Sequence, residues 1–314
     1  MFLGSSGLEV SPMFFGTALT IGTESDSQDF SNQMIQKLWQ LGVNTFDVAN
    51  NYGNGRAEEL LGKSLAHLPR NQIVVCSKGS WPLGPGFNNS GLGRKHIFDA
   101  LEKSLFRLEL DYLDVYYAHR YDPNVSMRHI VSTFNQLINS GKIRYWGVSE
   151  WPLAALQECL DVCERFGMEM PICQQNVFSL LRHPSLYDGV LDFSLKNNMG
   201  FIGYSPLAQG LLTGKYQGGI TLDSRIGKSK QLNYFKTADM LKEKNSELDK
   251  FANLVQEFGL DFVGVALNWV KRQQVIPVFG ASRVSQIEEN LESFSIDIPN
   301  EFWEKLESLD LITP

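Results

Sequence analysis

Cysteine is scarce. The 314 residues carry four, Cys76, Cys159, Cys163 and Cys173, with no C-x-x-C among them. That is too little for a disulfide framework or a structural zinc site. Cys159 and Cys163 are four apart in a helical pattern and share a face, but the surrounding sequence offers no further ligands. All four read as free thiols, buried or half-buried, in a reducing cytosol. Neither H-x-x-E-H nor H-x-E occurs, so no metal is expected. Basic blocks are missing as well, and the net charge is −7, which argues against a nucleic-acid partner or an anionic membrane surface. The longest apolar runs, such as Ile73–Cys76 and Val275–Gly280, fall far short of a membrane span. Met1–Gly7 has no basic start leading into an apolar run, so a secretory leader is not expected and the chain is read as cytoplasmic.

What is present is an ordinary globular composition, 43% hydrophobic and 20% charged, ample for one large core. Strand-like and helix-like runs alternate along the chain. Strands are predicted at Met13–Leu19, Asn44–Val48, Ile73–Ser77, Val115–His119, Tyr145–Ser149, Ile172–Asn176, Phe201–Tyr204 and Val275–Phe279. Between them lie helical patterns at Gln28–Leu41, Ala57–His67, Arg94–Leu108, Met127–Ser140, Leu153–Phe166 and Ser185–Asn197. A long loop follows the seventh strand, then helices near Ala238–Phe258 and Asp261–Arg272. Ser285–Phe294 and a segment from Pro299 close the chain. Repeated β-then-α units require a parallel sheet. Eight of them fit a closed (β/α)8 barrel, expected as a single domain over residues 1–314. An open dinucleotide-binding sheet would carry G-x-G-x-x-G after its first strand, and here only Gly16 and Gly22 follow Met13.

In such barrels the chemistry sits at the C-terminal strand ends. Strand two ends near Asp47 with Tyr52 in the following loop, strand three at Lys78, strand four at His119, strand five at Ser149 and strand six near Gln174. Singly, each has an ordinary structural explanation: a turn aspartate, a packed tyrosine, a solvated lysine, a hydrogen-bonded histidine. Jointly, an acid, a phenol, an amine and an imidazole at successive strand ends are hard to explain as packing. Asp47 and Lys78 could pair and so offset the cost of burying charge. A free phenol titrates near ~10, and a neighbouring ammonium lowers that value. Tyr52 could then give a proton to a developing alkoxide while His119 positions a carbonyl oxygen. No protein nucleophile or metal is needed, which points to hydride chemistry and a nicotinamide. An aldolase-like barrel using Lys78 as a Schiff base would leave Tyr52 without a role.

At these residues the chain resembles the aldo-keto reductase family. LGSSGLEVSPMFFGTA (Leu3–Ala18) is similar to the family's opening β-hairpin and first strand. GVNTFDVANNYGNGRAEELLGKSL (Gly42–Leu65) resembles the signature around the catalytic aspartate and tyrosine. VVCSKG (Val74–Gly79) resembles the lysine strand, and LDYLDVYYAHRYDP (Leu110–Pro123) the histidine strand. GKIRYWGVSEW (Gly141–Trp151) and PICQQNVFSLL (Pro171–Leu181) resemble the nicotinamide side. HRYDP, RYWGVSEW, PICQQN and SPLAQGLLTGKY are most like the subgroup of potassium-channel β-subunits and related reductases.

The resemblance implies an NADPH-dependent enzyme reducing aldehydes or ketones to alcohols, with Asp47, Tyr52, Lys78 and His119 as the catalytic tetrad. It implies that Gly16, Thr17 and Asp47 line the cofactor, that Ser149 and Gln174 bind the carboxamide, and that Tyr204 stacks on the nicotinamide ring. Ser205, Pro206, Leu207 and Gly210 would lie along the pyrophosphate, and Lys215 and Arg225 would meet the 2′-phosphate. Gly280, Ser282, Gln286, Glu289 and Asn290 would surround the adenosine, Glu289 being otherwise a residue of a solvated helix face. Many members place a lysine and an arginine where Gly280 and Gln286 stand here, and an Asn or basic residue where Glu150 stands. Trp81, Tyr121 and Trp151 could wall a substrate pocket or equally pack beneath loops. The small-molecule partner would be a carbonyl compound, and a homo-oligomer is possible. The alternative is a channel-β-like regulatory subunit that senses NADP(H) and turns over slowly. The complete tetrad favours the enzyme, since channel β-subunits often carry Asn in place of His119.

Overall fold

The computed structural model describes residues 1–22, 26–215, 239 and 243–309. Eight parallel strands close into a barrel in sequence order: β1 (Phe14–Gly16), β2 (Thr45–Asp47), β3 (Val74–Gly79), β4 (Leu113–Ala118), β5 (Ile143–Ser149), β6 (Cys173–Val177), β7 (Gly200–Tyr204) and β8 (Ile276–Phe279). Closure is made by β1 on β8, with Phe14 opposite Val278. The expected (β/α)8 barrel is therefore the fold.

Among the described residues the helices are α1 (Gln28–Gln40), α2 (Arg56–Leu65), α3 (Arg94–Leu108), α4 (Met127–Asn139), α5 (Leu153–Phe166), α6 (Val190–Lys196), α7 (Asn245–Glu257), α8 (Phe262–Arg272), α9 (Ser285–Phe294) and α10 (Asn300–Ser308). Two of them start on a side-chain cap. Ser27 accepts the Phe30 N–H at 3.1 Å at the head of α1, and Asp261 accepts the Gly264 N–H at 2.6 Å at the head of α8. The helix expected over Ser185–Asn197 is shorter. Pro184–Leu186 forms a 3₁₀ turn, Gly189 holds φ +82°, and α6 starts at Val190. The first strand is also shorter than Met13–Leu19. Thr17 and Thr20 turn their hydroxyls onto the Asp47 and Gly16 carbonyls, and the chain bends away after Gly16.

Period-two alternation sorts the strand side chains into two cores. Inside the barrel lie Phe14, Val74, Cys76, Val115, Tyr117, Cys173, Ile202, Ile276 and Val278. Outside, Phe15, Phe46, Val75, Tyr116, Trp146, Phe201 and Phe279 meet the helices. The expected N-terminal hairpin is present as an antiparallel bridge between Phe2 and Glu9, and its Leu3 and Val10 join the interior core as a plug. Gly4 permits this docking: its φ is +56°, and a Cβ there would collide with the Asn198 carbonyl oxygen. All four cysteines are buried and free. Among the described residues, no helix is long and apolar enough to cross a membrane.

Candidate active site

The inward parity of each strand continues one step to its C-terminal end. It delivers Gly16, Asp47, Lys78, His119, Ser149, Gln175, Tyr204 and Gly280 to one mouth. Seven of these were expected. The eighth differs: in β6, Cys173 faces the interior, so Gln175 does too, whereas Gln174 and Asn176 face outward. Gln174 is accordingly tied up outside, donating to the Trp151 carbonyl (3.2 Å) and Asn176 Oδ1 (2.6 Å). Gln175 donates to Asp47 Oδ2 at 3.0 Å. The alternation of C-Q-Q-N-V against its neighbours was the signal that distinguishes the two glutamines.

The expected tetrad comes together. Lys78 is fully buried; its Nζ lies 2.5 Å from Asp47 Oδ1, 3.0 Å from the Val48 carbonyl and 3.4 Å from Tyr52 Oη. Tyr52 is carried by the 3₁₀ turn Tyr52–Gly55, whose Gly53 and Asn54 are left-handed at φ +56° and +53°. A Cβ at Gly53 would strike the Gly22 carbonyl oxygen, so the turn closes against the loop after β1. Asn50 locks this loop to the next, its N–H on the Lys78 carbonyl and its amide on the Trp81 carbonyl. His119, whose N–H bonds the Gly79 carbonyl at 3.1 Å, places its ring 6.2 Å from that of Tyr52.

Burial and charge set the protonation states. Burial disfavours a charged Lys78, but Asp47 and Tyr52 more than offset this and raise its pKa above the ordinary lysine value. For Tyr52, burial raises the pKa, and the Lys78 cation lowers it by less, with Asp47 opposing. The expected lowering by the ammonium is thus present but outweighed, because the phenol is withdrawn from water. Tyr52 remains a phenol at neutral pH. Burial, helped by Lys78 and Arg120, holds His119 well below the ordinary imidazole range, so it is neutral. Its Nδ1 is buried with no hydrogen-bond partner, which favours placing the single ring proton on Nε2.

The remaining expected residues fall into groups. Ser149 is buried and accepts Arg120 Nη1 at 3.3 Å, keeping its own hydroxyl proton for another acceptor. Glu150, left-handed at φ +55°, turns its carboxylate onto the Val177 N–H at 2.7 Å and lies beside Tyr204. Half-buried Tyr204 ends β7, and the chain then runs through left-handed Ser205 (φ +60°), Pro206, Leu207 and left-handed Ala208, Gln209 and Gly210 (φ +46°, +54° and +97°). Such clustered non-glycine strain is typical of ligand clamps. Lys215 is exposed; Arg225 lies outside the described residues. After β8, Gln286 accepts the Ser282 N–H (2.7 Å), and Asn290 donates to the Gly280 carbonyl (3.4 Å). Glu289 is exposed and pairs with Arg283 at 3.1 Å. Thr17 is fully buried beneath the mouth. Of the three aromatics, Trp151 is 1% exposed and belongs to the outer core, with Tyr121 packed on it at 5.4 Å; Trp81 is 38% exposed beside His119. Among the described residues, no cluster of three His, Cys, Asp or Glu could hold a metal.

A half-buried phenol beside a buried ammonium, carboxylate and neutral imidazole, at the mouth of a (β/α)8 barrel, defines a proton-handling barrel enzyme. The model of the Aldo/keto reductase family matches residues 12–311, and the chain belongs to that family, a family of oxidoreductases. It is 33% identical to a putative voltage-gated potassium channel subunit beta of Schizosaccharomyces pombe, over 100% of this chain and 93% of that protein. It is 32% identical to the L-glyceraldehyde 3-phosphate reductase of Escherichia coli strain K12, over 94% of this chain and 87% of that protein. The crystal structure of a thermostable aldo-keto reductase in complex with the inhibitor epalrestat superposes with a TM-score of 0.76 at 25% identity, covering 98% of both chains.

Proposed function

We propose that the protein reduces aldehydes or ketones to alcohols with NADPH, and that Tyr52 is the proton donor. The observation that carries this is Tyr52 Oη within 3.4 Å of the buried Lys78 ammonium. Tyr52 starts protonated, as a donor must. Once its proton passes to the carbonyl oxygen, the phenolate left behind faces a fixed cation. Asp47 Oδ1 holds that cation in place, and Gln175 donates to Asp47 Oδ2 and so fixes the carboxylate. Neutral His119 contributes an N–H that orients the carbonyl oxygen without competing as an acid.

The donor set suits a nicotinamide nucleotide. Ser149 has a hydroxyl proton to give an amide oxygen, Tyr204 offers a half-buried ring, and the strap with left-handed Ser205, Ala208, Gln209 and Gly210 follows directly. When bound, the nicotinamide supplies the hydride. Gln175, not Gln174, is the strand-six glutamine on its side of the barrel. Gly16, Thr17, Gly280, Ser282, Gln286, Glu289 and Asn290 are assigned to the rest of the cofactor, and Lys215 and Arg225 to the 2′-phosphate.

The channel-subunit relatives keep a second reading open, an NADP(H)-sensing regulatory subunit. The complete tetrad favours turnover. A panel of carbonyl compounds with NADPH, followed at the nicotinamide absorbance band, separates the two. Oxidation of NADPH by several of them is expected; binding of NADPH without turnover of any would favour the sensor.

A further inference from the structure

Arg120 follows His119 at the end of β4 and is half-buried. Its Nη1 donates to the His119 carbonyl (2.6 Å) and to Ser149 Oγ (3.3 Å), and its guanidinium carbon lies 5.9 Å from the Trp81 ring centre. These contacts fix the group between the ends of β3, β4 and β5. They use one nitrogen of a group that carries five N–H donors. Among the described residues, no ion pair includes Arg120. Asp47 and Glu150 are committed elsewhere: Asp47 to Lys78 and Gln175, Glu150 to the Val177 N–H. The Arg120 charge is nevertheless felt across the site: it opposes the burial that raises the Tyr52 and Tyr204 pKa values and adds to the burial that lowers that of His119.

A partly desolvated cation without a carboxylate partner is costly, and it is repaid when a ligand brings the anion. A planar guanidinium suits a carboxylate or phosphate through paired charge-assisted hydrogen bonds. We propose that Arg120 is a specificity-determining residue that makes this mouth a receptor for carbonyl compounds bearing an anionic group, carboxylate or phosphate, near the carbonyl. The inference rests on the reductase reading and names its substrate class. A purely structural Arg120, bridging β4 to Ser149, would serve charged and neutral substrates equally.

The test compares kcat/KM with NADPH for 4-carboxybenzaldehyde against methyl 4-formylbenzoate, and for glyceraldehyde 3-phosphate against glyceraldehyde, in wild type, Arg120→Met and Arg120→Lys. The wild type is expected to prefer the anionic member of at least one pair by about tenfold or more. The pair that shows it distinguishes carboxylate from phosphate. In Arg120→Met that ratio falls toward one, chiefly through KM, and Arg120→Lys restores part of it. A wild-type ratio near one in both pairs, or an unchanged ratio in Arg120→Met, overturns the proposal while leaving carbonyl reduction intact. Should no carbonyl be turned over, tryptophan fluorescence decides, since Trp81 lies against the guanidinium. Saturable responses to benzoate or inorganic phosphate in the wild type, lost in Arg120→Met, uphold the anion site without the reductase. No response in the wild type, or an equal one in the variant, overturns it.

Discussion

Gln175 donates its amide to Asp47 Oδ2 at 3.0 Å, on the oxygen opposite the one that Lys78 holds. Both oxygens of a carboxylate that is 3% exposed are thereby satisfied, and the Lys78–Asp47 pair is fixed in orientation. Removing the amide would leave a buried anionic oxygen without its donor.

Gln175→Ala is therefore expected to destabilise the fold by about 1.5–3 kcal/mol, the range for hydrogen bonds to charged groups. It should also lower turnover, because Lys78 loses its rigid anchor. Urea unfolding and steady-state kinetics check both. A variant as stable and as active as the wild type would remove Gln175 from the site.

Replacing Lys78 by Met removes the cation that lowers the Tyr52 pKa, so that pKa, already raised by burial, rises further. Reduction requires the phenol and declines as pH rises through this value. The alkaline limb of the reduction profile should thus move to higher pH in Lys78→Met, while turnover falls at every pH. An unmoved alkaline limb would dissociate Lys78 from the proton step.

The fold was legible because each β-then-α unit announces itself, and because a barrel needs no glycine fingerprint at its first strand. Asp47, Lys78, His119 and Ser149 were legible as strand-end polar residues, since parity carries them inward from apolar strands, while Tyr204 came only through the family resemblance. The glutamine of β6 was misassigned by one position. Two adjacent glutamines, Gln174 and Gln175, look alike until the facing of Cys173 is known. The direction of the Tyr52 shift was also hidden, because sequence shows the neighbouring ammonium but not how deeply the phenol is buried. The anion-ready Arg120 left no trace in spacing; it stands out through the absence of a paired acid among the described residues.

Three imidazoles, His119, His96 and His183, have pKa values lowered first of all by burial, His119 the furthest. Below the ordinary value of 6.5 the unfolded chain takes up protons that the folded imidazole refuses. This part of the stability is complete above that pH and is lost as pH falls toward the folded pKa. His119→Asn should flatten the decline measured by urea unfolding between pH 7 and about pH 5. An identical slope in wild type and variant would mean that His119 titrates normally.

On the proposed function, Lys215 and Arg225 read the 2′-phosphate and so would give a preference for NADPH over NADH. Arg225→Ala should weaken NADPH by about tenfold or more and leave NADH little changed, since each hydrogen bond to a charged group contributes roughly 1.5–3 kcal/mol. Fluorescence titration of both cofactors reads the difference. Equal losses for the two would show that Arg225 does not read the phosphate.

The central claim is that Tyr52 gives the proton, and Tyr52→Phe tests it most directly by deleting the hydroxyl that lies 3.4 Å from Lys78 Nζ while keeping the ring. Turnover of a carbonyl substrate should be followed at the nicotinamide absorbance band, with NADPH affinity measured in parallel on the same preparation. General acid catalysis contributes typically about 10²–10⁴-fold, so turnover should fall by that order with NADPH affinity nearly intact. Wild-type turnover in Tyr52→Phe would contradict the assignment.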